Sequence, residues 1–357
     1  MKSSVPQIIL TGSSGFLGQH LLHSLLQQPI AALGDHTEIA GYKIHALYGG
    51  NMEGFPEALE QLAARNPENV SLQVHKLDFT NQQEIQTWIS ENAATADICI
   101  HMAAMSSPRT CQDTPEKARA LNVPQDFFQG LLGANVPIIA LSTDQVYEGT
   151  KQGTPYFETD AVKPVNIYGL TKVEMEECLQ QLSSSQQKTV PVVLLRSSII
   201  LGPKAPILPD KAHGTFLHFC QTREGQVTEF YSDECRSVIA VDNVVAVLRW
   251  FLKRLILLEP LATKKDDNSV VLLAGVYNMG GPERISRVDM AQAVFRHFGY
   301  KEEGVLVASE KAKLPPGPIP SPLDITMDST KLYQLTKDEI PKWKSLKETV
   351  KWTFSSS

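Results

Sequence analysis

Short apolar runs alternate with amphipathic segments of helix length along the first 200 residues. Residues 7–10 form an apolar run, and residues 16–26 carry apolar side chains at helical spacing. Further apolar runs follow at 44–48, 70–77, 98–102, 136–141 and 192–200. Helix-like segments at 83–92 and 118–133 separate several of them. This alternation predicts an α/β fold with a parallel sheet covered by helices on both faces.

The pattern becomes less regular after Gly202 and Pro203, where prolines interrupt it. We therefore predict a doubly wound Rossmann-type dinucleotide-binding domain over 1–203 and a smaller α+β substrate lobe over 204–357. A return of the chain to the first domain is predicted at 236–257. The proline-dense stretch 315–322 is predicted to be an extended loop.

The composition of the chain disfavours several classes of function. The chain has 357 residues, of which 42% are hydrophobic, and can bury a substantial core. Its net charge of -6 disfavours a nucleic-acid partner, which requires a concentrated basic surface. We expect a cytoplasmic protein with no membrane span and no signal peptide. Five cysteines without a C-x-x-C pair indicate reduced thiols and no metal site.

A glycine-rich turn, T-G-S-S-G-F-L-G, joins the first strand to the first helix. Three glycines there suit a tight turn, close approach of the backbone to a pyrophosphate, and close helix packing. The spacing is G-x-x-G-x-x-G rather than G-x-G-x-x-G, and a turn without a ligand is the alternative. Because the turn lies at the first strand–helix junction, the binding of a dinucleotide is the favoured interpretation. The predicted cofactor contacts are Gly12, Ser14, Gly15, Phe16, Leu17 and Gly18.

The second strand bears on the choice between NAD and NADP. It ends at Tyr48 and Gly49, with neither a carboxylate nor an arginine for the adenosine ribose. The missing carboxylate removes one obstacle to a 2'-phosphate and favours NADP over NAD. Asp78, beside Phe79, is placed to accept a hydrogen bond from adenine, or alternatively to cap a helix with Thr80.

The pattern Tyr-x-x-x-Lys occurs three times, and only its context separates the copies. Tyr147 lies in a glycine-rich loop, and Tyr333 lies in a polar stretch that predicts a solvated helix. Tyr168 opens an amphipathic helix, so Lys172 shares its face. The ammonium can favour ionisation of the phenol, and Thr143 or Ser142 can hydrogen-bond a substrate oxygen. This combination predicts redox chemistry on a carbonyl or an alcohol.

Taken together, these motifs resemble the extended short-chain dehydrogenase/reductase family. Within that family they are most similar to dTDP-4-dehydrorhamnose reductases. The resemblance rests on the glycine turn and on L-D-F-T, H-M-A-A, S-T-D-Q-V-Y, P-Y-F-E-T-D, P-V-N-I-Y-G-L-T-K, R-S-S-I-I-L-G-P and S-P-L-D-I-T-M-D-S-T-K-L. It covers most of the chain.

The resemblance implies roles for individual residues. Thr143 would polarise the substrate oxygen, Tyr168 would be the acid/base, and Lys172 would bind the nicotinamide ribose and lower the pKa of the phenol. Asn122 would support a water-linked proton path, with a buried helix-end amide as the alternative. The remaining cofactor contacts implied are Ala103, Ala104 and Arg196, in addition to Tyr168 and Lys172.

The chain departs from these reductases near the substrate, because Gln145 stands where they usually carry an aromatic residue. The predicted contacts are Ser106, Ser142, Thr143, Asp144 and Arg236. Arg236 would pair with a phosphate or carboxylate of the ligand, or instead bridge to Asp233 or Asp242.

Three functions are consistent with these residues. The first is NAD(P)-dependent reduction of a keto group on a sugar nucleotide, and the second is a nucleotide-sugar epimerase. The third is a non-catalytic regulatory subunit that binds a partner enzyme, as the methionine adenosyltransferase regulatory subunit does. A homodimer is consistent with the family resemblance.

Overall fold

A computed structural model describes residues 5–28, 41–50, 52–65, 70–186, 189–210, 214–258, 273–315 and 317–355. The first half alternates strand and helix, as predicted. Its strands are β1 (Gln7–Thr11), β2 (Tyr42–Tyr48), β3 (Val70–Lys76), β4 (Ile98–His101), β5 (Ile138–Thr143) and β6 (Val192–Ser197). Its helices are α1 (Phe16–Gln27), α2 (Phe55–Ala64), α3 (Gln82–Asn92), α4 (Pro108–Asp113), α5 (Pro115–Asn122), α6 (Gln125–Gly133) and α7 (Ile167–Ser185).

The later part contains shorter elements. Its strands are β7 (Ile200–Leu201), β8 (Thr228–Tyr231), β9 (Cys235–Arg236), β10 (Ile239–Ala240), β11 (Gly275–Met279), β12 (Ile285–Ser286) and β13 (Leu306–Ser309). Its helices are α8 (Phe216–Gln221), α9 (Val241–Leu258), α10 (Arg287–Phe298), α11 (Thr330–Thr336) and α12 (Leu346–Ser355). The described residues of the predicted proline-rich loop form neither helix nor strand.

The main sheet has seven parallel strands in the order β11-β6-β5-β4-β1-β2-β3. The chain builds outward from β1 through β2 and β3, then crosses to β4 and builds in the other direction. This reversal leaves a crevice at the carboxyl ends of β1 and β4, where such folds bind ligands. The predicted Rossmann-type fold is confirmed.

Alternate residues of each strand supply two separate cores, because successive side chains point to opposite faces of a sheet. Ile8 and Leu10 pack in one core with helices α1 and α9, whereas Ile9 packs in the other with α3, α6 and α7. Both faces are therefore covered by helices, as the apolar runs predict.

Two findings refine the predicted elements. The segment 118–133 was expected to be one helix, but it is divided into α5 and α6, because Pro124 supplies no N–H and closes the first helix. The predicted return at 236–257 corresponds to α9, which packs against α1 and β4. Strand β11 also joins the main sheet beside β6, so the boundary at residue 203 stays a prediction.

The structure also shows whether a described helix could span a membrane and how accessible the cysteine thiols are. Among the described residues, no helix combines the length and the apolar character required to cross a bilayer. All five cysteines are free thiols, and only Cys178 is more than slightly accessible.

We predict that Gly18→Ala destabilises the protein by about 2 kcal/mol or more. A Cβ on Gly18 would lie 2.2 Å from the carbonyl oxygen of Gly12 and 2.8 Å from the Cα of Ser13, and backbone atoms yield little to such overpacking. The measurement is the free energy of unfolding in urea. Gly133→Ala is the matched control in another helix, since nothing lies within 4 Å of its added Cβ. Equal effects of both substitutions would contradict the packing argument.

Candidate functional site

At the glycine turn, the backbone directly after β1 lies in close contact with the backbone directly after β4. Gly12 has a φ of +66°, and a Cβ there would lie 2.7 Å from the nitrogen of Ala103. The Thr11 hydroxyl accepts hydrogen bonds from the backbone N–H groups of Met102 and Ala103, both at 3.1 Å. Only glycine therefore fits at position 12.

The start of α1 fits a diphosphate. Gly15 is its N-cap, and no side chain among the described residues caps the helix. The first N–H groups therefore remain available to a negatively charged group. The remaining predicted contacts on this turn, Ser14, Phe16 and Leu17, are partly buried beside it. The residues present thus fit the dinucleotide that the sequence predicts.

The predicted adenosine contacts lie at the ends of β2 and β3, which are joined by a 2.9 Å hydrogen bond from Leu77 to Tyr48. Tyr48 is partly buried and Phe79 is buried. Asp78 is exposed and accepts two hydrogen bonds from Thr80, which lower its pKa. Its alternative role as a helix cap is wrong, since Asn81 caps α3. An adenine contact stays a prediction.

The predicted catalytic side chains meet at the carboxyl edge of the sheet. Thr143 ends β5 and is 5% exposed, while Tyr168 is the second residue of α7 and is partly buried. Lys172, one helical turn later, is 2% exposed, and its ammonium lies 3.5 Å from the sulfur of Met175.

Burial governs the protonation of this group. It raises the pKa of Tyr168 above the ordinary value of 10, and the hydrogen bond with Thr143 offsets only part of the rise. The pKa of Tyr168 thus lies above its ordinary value in this structure, and the expected lowering of the phenol pKa by Lys172 stays a prediction. Burial also lowers the pKa of Lys172 to about 8, and the Glu176 carboxylate opposes that fall.

Glu176 lies one turn beyond Lys172 and binds two central strands. Its carboxylate accepts a short hydrogen bond from Ser142 on β5 and bonds of 2.7 and 3.1 Å from Arg196 on β6. Arg196 also donates to the Tyr147 hydroxyl at 3.0 Å. Burial opposes its charge, but Glu176 outweighs burial and raises the pKa of Arg196. Ser142 and Arg196 are thus held inside the protein, and their ligand contacts stay predictions.

Asn122 is fully buried at the end of α5. Its amide accepts from Met105 N–H at 2.7 Å and donates to the Met105 carbonyl at 3.2 Å and to the Thr171 hydroxyl at 2.9 Å. These bonds fasten the loop after β4 to α7. They match the alternative of a buried helix-end amide, and the role in a proton path stays a prediction.

Asp144 and Arg236 are buried together, with Asp144 Oδ2 at 4.0 Å from Arg236 Nε. Asp144 also accepts from Thr143 at 3.2 Å and from Ser198 at 2.8 Å. Burial raises the pKa of Asp144, although Arg236 opposes the rise.

The alternative that Arg236 bridges to Asp233 or Asp242 is wrong. Asp233 accepts backbone N–H groups of the 311–312 turn, and Asp242 pairs with Lys344. Arg236 instead binds Glu234, Asp144 and three backbone carbonyls. Ser106 is exposed, and substrate contacts by it, Asp144 and Arg236 stay predictions.

Sequence reasoning missed two residues of this site, Glu176 and Asn166. Glu176 follows Lys172 at the same four-residue spacing that separates Lys172 from Tyr168, so the helical periodicity could have indicated it. Asn166 caps α7 by accepting from Gly169 N–H at 2.9 Å, and an asparagine before a predicted helix is the usual signal for such a cap.

Comparison with known proteins places these observations in a family. The family model described as RmlD substrate binding domain matches residues 6–355. The dTDP-4-dehydrorhamnose reductase of Sinorhizobium fredii is 22% identical over 83% of this chain and 93% of its own length. That of Mycolicibacterium smegmatis is 30% identical, but over only 34% of this chain and 36% of the relative. Methionine adenosyltransferase 2 subunit beta of Xenopus laevis is 25% identical over 67% of this chain and 64% of the relative.

Solved structures show the same fold. A dTDP-4-dehydrorhamnose reductase from Bacillus anthracis in complex with NADP aligns with a TM-score of 0.66, 18% identity and 99% coverage of both chains. The protein MoeE5 in complex with UDP-glucuronic acid and NAD aligns with a TM-score of 0.68 and 18% identity, covering 98% of this chain and 100% of that one. Since the family model spans nearly the whole chain, this protein belongs to the family of the RmlD substrate binding domain.

Proposed function

We propose that this protein reduces a keto group on a nucleotide-linked sugar, with NADPH or NADH as the hydride donor and Tyr168 as the proton donor. The proposal is carried by the meeting of Thr143, Tyr168 and Lys172 at the sheet edge that also bears the glycine turn. Relatives named as dTDP-4-dehydrorhamnose reductases support the substrate class.

The cofactor would lie across the crevice between β1 and β4. Gly12, Gly15 and the first turn of α1 would hold its diphosphate. Strand β2 ends at Tyr48 and Gly49 without a carboxylate to repel a 2'-phosphate, which favours NADP. The neighbours solved with NADP and with NAD are consistent with either nucleotide.

Thr143, Tyr168 and Lys172 would each have a separate role in the proposed proton transfer. The bound nicotinamide would supply a hydride to the carbonyl carbon. The Thr143 hydroxyl, which donates to Asp144 in this structure, would rotate to donate to the carbonyl oxygen, and Tyr168 transfers its proton to that oxygen. The raised pKa of Tyr168 keeps the phenol protonated at neutral pH, as reduction requires. Lys172 remains largely charged at pH 7 and stabilises the phenolate that forms.

Two alternatives use the same residues. An epimerase uses the same phenol and nicotinamide, but it oxidises and then reduces its substrate without net use of the cofactor. A regulatory subunit is favoured by the match to methionine adenosyltransferase 2 subunit beta. Its site would bind the nucleotide without turnover.

One experiment separates the three. Native mass spectrometry identifies ligands and proteins retained after purification, and an absorbance assay with dTDP-4-dehydrorhamnose measures NADPH consumption. A reductase consumes NADPH in proportion to product. An epimerase retains its nucleotide and consumes none, whereas a regulatory subunit purifies with a stoichiometric partner and turns over nothing.

We predict that Tyr168→Phe lowers kcat for NADPH-dependent reduction by about 100-fold or more, because the proton donor is removed. NADPH binding, measured by fluorescence titration, should change little. Tyr333→Phe is the matched control, since Tyr333 belongs to another copy of the Tyr-x-x-x-Lys pattern and packs against Trp343 instead. Full turnover by the Tyr168 variant would refute the assignment.

We predict that Lys172→Met abolishes activity yet stabilises the fold at pH 7 by about 3 kcal/mol. Folding lowers the pKa of Lys172 from 10.5 to about 8, so its buried charge destabilises the protein fully below pH 8. That penalty shrinks as the pH rises from 8 to 10.5, and the gain from methionine should shrink with it. Urea unfolding at several pH values measures this, with exposed Lys347→Met as the control. A gain that does not depend on pH would contradict the argument.

A further inference from the structure

The side chain of Asn166 joins three parts of the chain at the proposed active site. Its Oδ1 caps α7, and its Nδ2 donates to Gln145 Oε1 at 2.8 Å and to the Pro320 carbonyl at 3.1 Å. Only the capping bond serves the helix itself. The other two connect the start of α7 to the loop after Thr143 and to a segment more than 150 residues further along the chain.

The segment 317–323, G-P-I-P-S-P-L, is stiff because three of its seven residues are prolines. We name it the proline bridge. It is exposed at its start and becomes buried at Pro322. Arg236 holds its far end by donating to the carbonyls of Pro322 and Leu323 at 3.0 and 2.8 Å.

These contacts form a closed circuit around the two proposed catalytic hydroxyl groups. The Thr143 hydroxyl donates to Asp144, and Asp144 lies beside Arg236. Arg236 holds one end of the proline bridge, and Asn166 binds its middle. Asn166 in turn caps the helix whose second residue is Tyr168.

The first turn of α7 and the loop after Thr143 can shift only together. A Cβ on Gly169 would lie 2.2 Å from the carbonyl oxygen of Gln145, so the helix start rests directly on the loop after Thr143. Asn166 is 6% exposed, and solvent therefore cannot replace its bonds freely.

We propose that Asn166 is a positioning residue that couples Tyr168 to the proline bridge, so that the bridge fixes the placement of the phenol relative to Thr143. The inference rests on the proposed function, because placement matters through the proton that Tyr168 transfers. Small displacements of reacting groups lower rates strongly. A residue that only capped the helix would affect stability and leave the rate unchanged.

Asn166→Ser separates the two roles. Serine is as good an N-cap as asparagine and is uncharged, but its side chain is too short to reach Gln145 and Pro320 as well. Asn166→Ala removes the cap and both bridging bonds. Asn81→Ser is the matched control, since Asn81 caps α3 at an exposed position by accepting from Gln83 and Glu84.

The assay uses dTDP-4-dehydrorhamnose with NADPH, and hydrogen–deuterium exchange follows the backbone amides of Asp324 and Ile325. These amides donate to Gly149 and Cys235 directly after the bridge. We expect Asn166→Ser to lower kcat by about tenfold or more, to speed exchange at both amides, and to leave the Kd of NADPH close to wild type. Its melting temperature should fall, because two buried hydrogen bonds are lost. Asn166→Ala should show the same loss of kcat with an added loss of stability.

The proposal is overturned if Asn166→Ser matches the wild type in both kcat and amide exchange. It is also overturned if Asn81→Ser lowers kcat equally. If the wild-type protein turns over no 4-keto sugar nucleotide, the proposed function fails, but the exchange measurement still decides whether Asn166 holds the bridge. Unchanged exchange in that case rejects the coupling as well.

Discussion

The carboxylate of Glu176 is the constraint on which the proposed active site depends. It ties the helix that carries Tyr168 to the adjacent strands β5 and β6 through Ser142 and Arg196. The resulting cluster of Lys172, Glu176 and Arg196 holds two buried cations and one buried anion. Lys172 lies one helical turn from Tyr168 on the same helix, and under the proposed function its ammonium would stabilise the phenolate that the reaction leaves.

The surroundings of Tyr168 favour the protonated phenol before the reaction. Burial raises the pKa of Tyr168, since an ionised group loses its water there, and Asp144 adds to the rise. Burial lowers the pKa of Lys172 to about 8 and Glu176 opposes that fall, so Lys172 is still an ammonium near neutral pH, one helical turn from Tyr168. Reduction requires a proton donor, so a phenol that is protonated before the reaction suits it better than a phenolate would. The phenolate left after proton transfer then has to be stabilised.

Much of this architecture follows from local sequence pattern. Residues 7–26 show a strand, a glycine turn and a helix in order, and each glycine that the pattern singles out is explained by a backbone contact. The choice of Tyr168 among three copies of its motif rests on the helix signal that follows Asn166 and on the strand upstream that ends in Ser142 and Thr143. The split between α5 and α6 is likewise indicated in the sequence by Pro124. The spacing of apolar residues alone does not show it and predicts one long amphipathic helix.

What the sequence could not supply were partners distant along the chain. The sequence alone predicts ligand contacts for Arg196 and Arg236. The charge of an arginine is evident from the sequence, whereas the group that pairs with it in the fold is not. Arg196 pairs with a glutamate 20 residues earlier, and Arg236 binds carbonyls 86 and 87 residues later. An arginine has five N–H donors, and burying it demands that most of them find acceptors. In this structure most of those acceptors are groups of the protein itself, so both side chains first of all hold the fold together, and their predicted ligand contacts stay predictions.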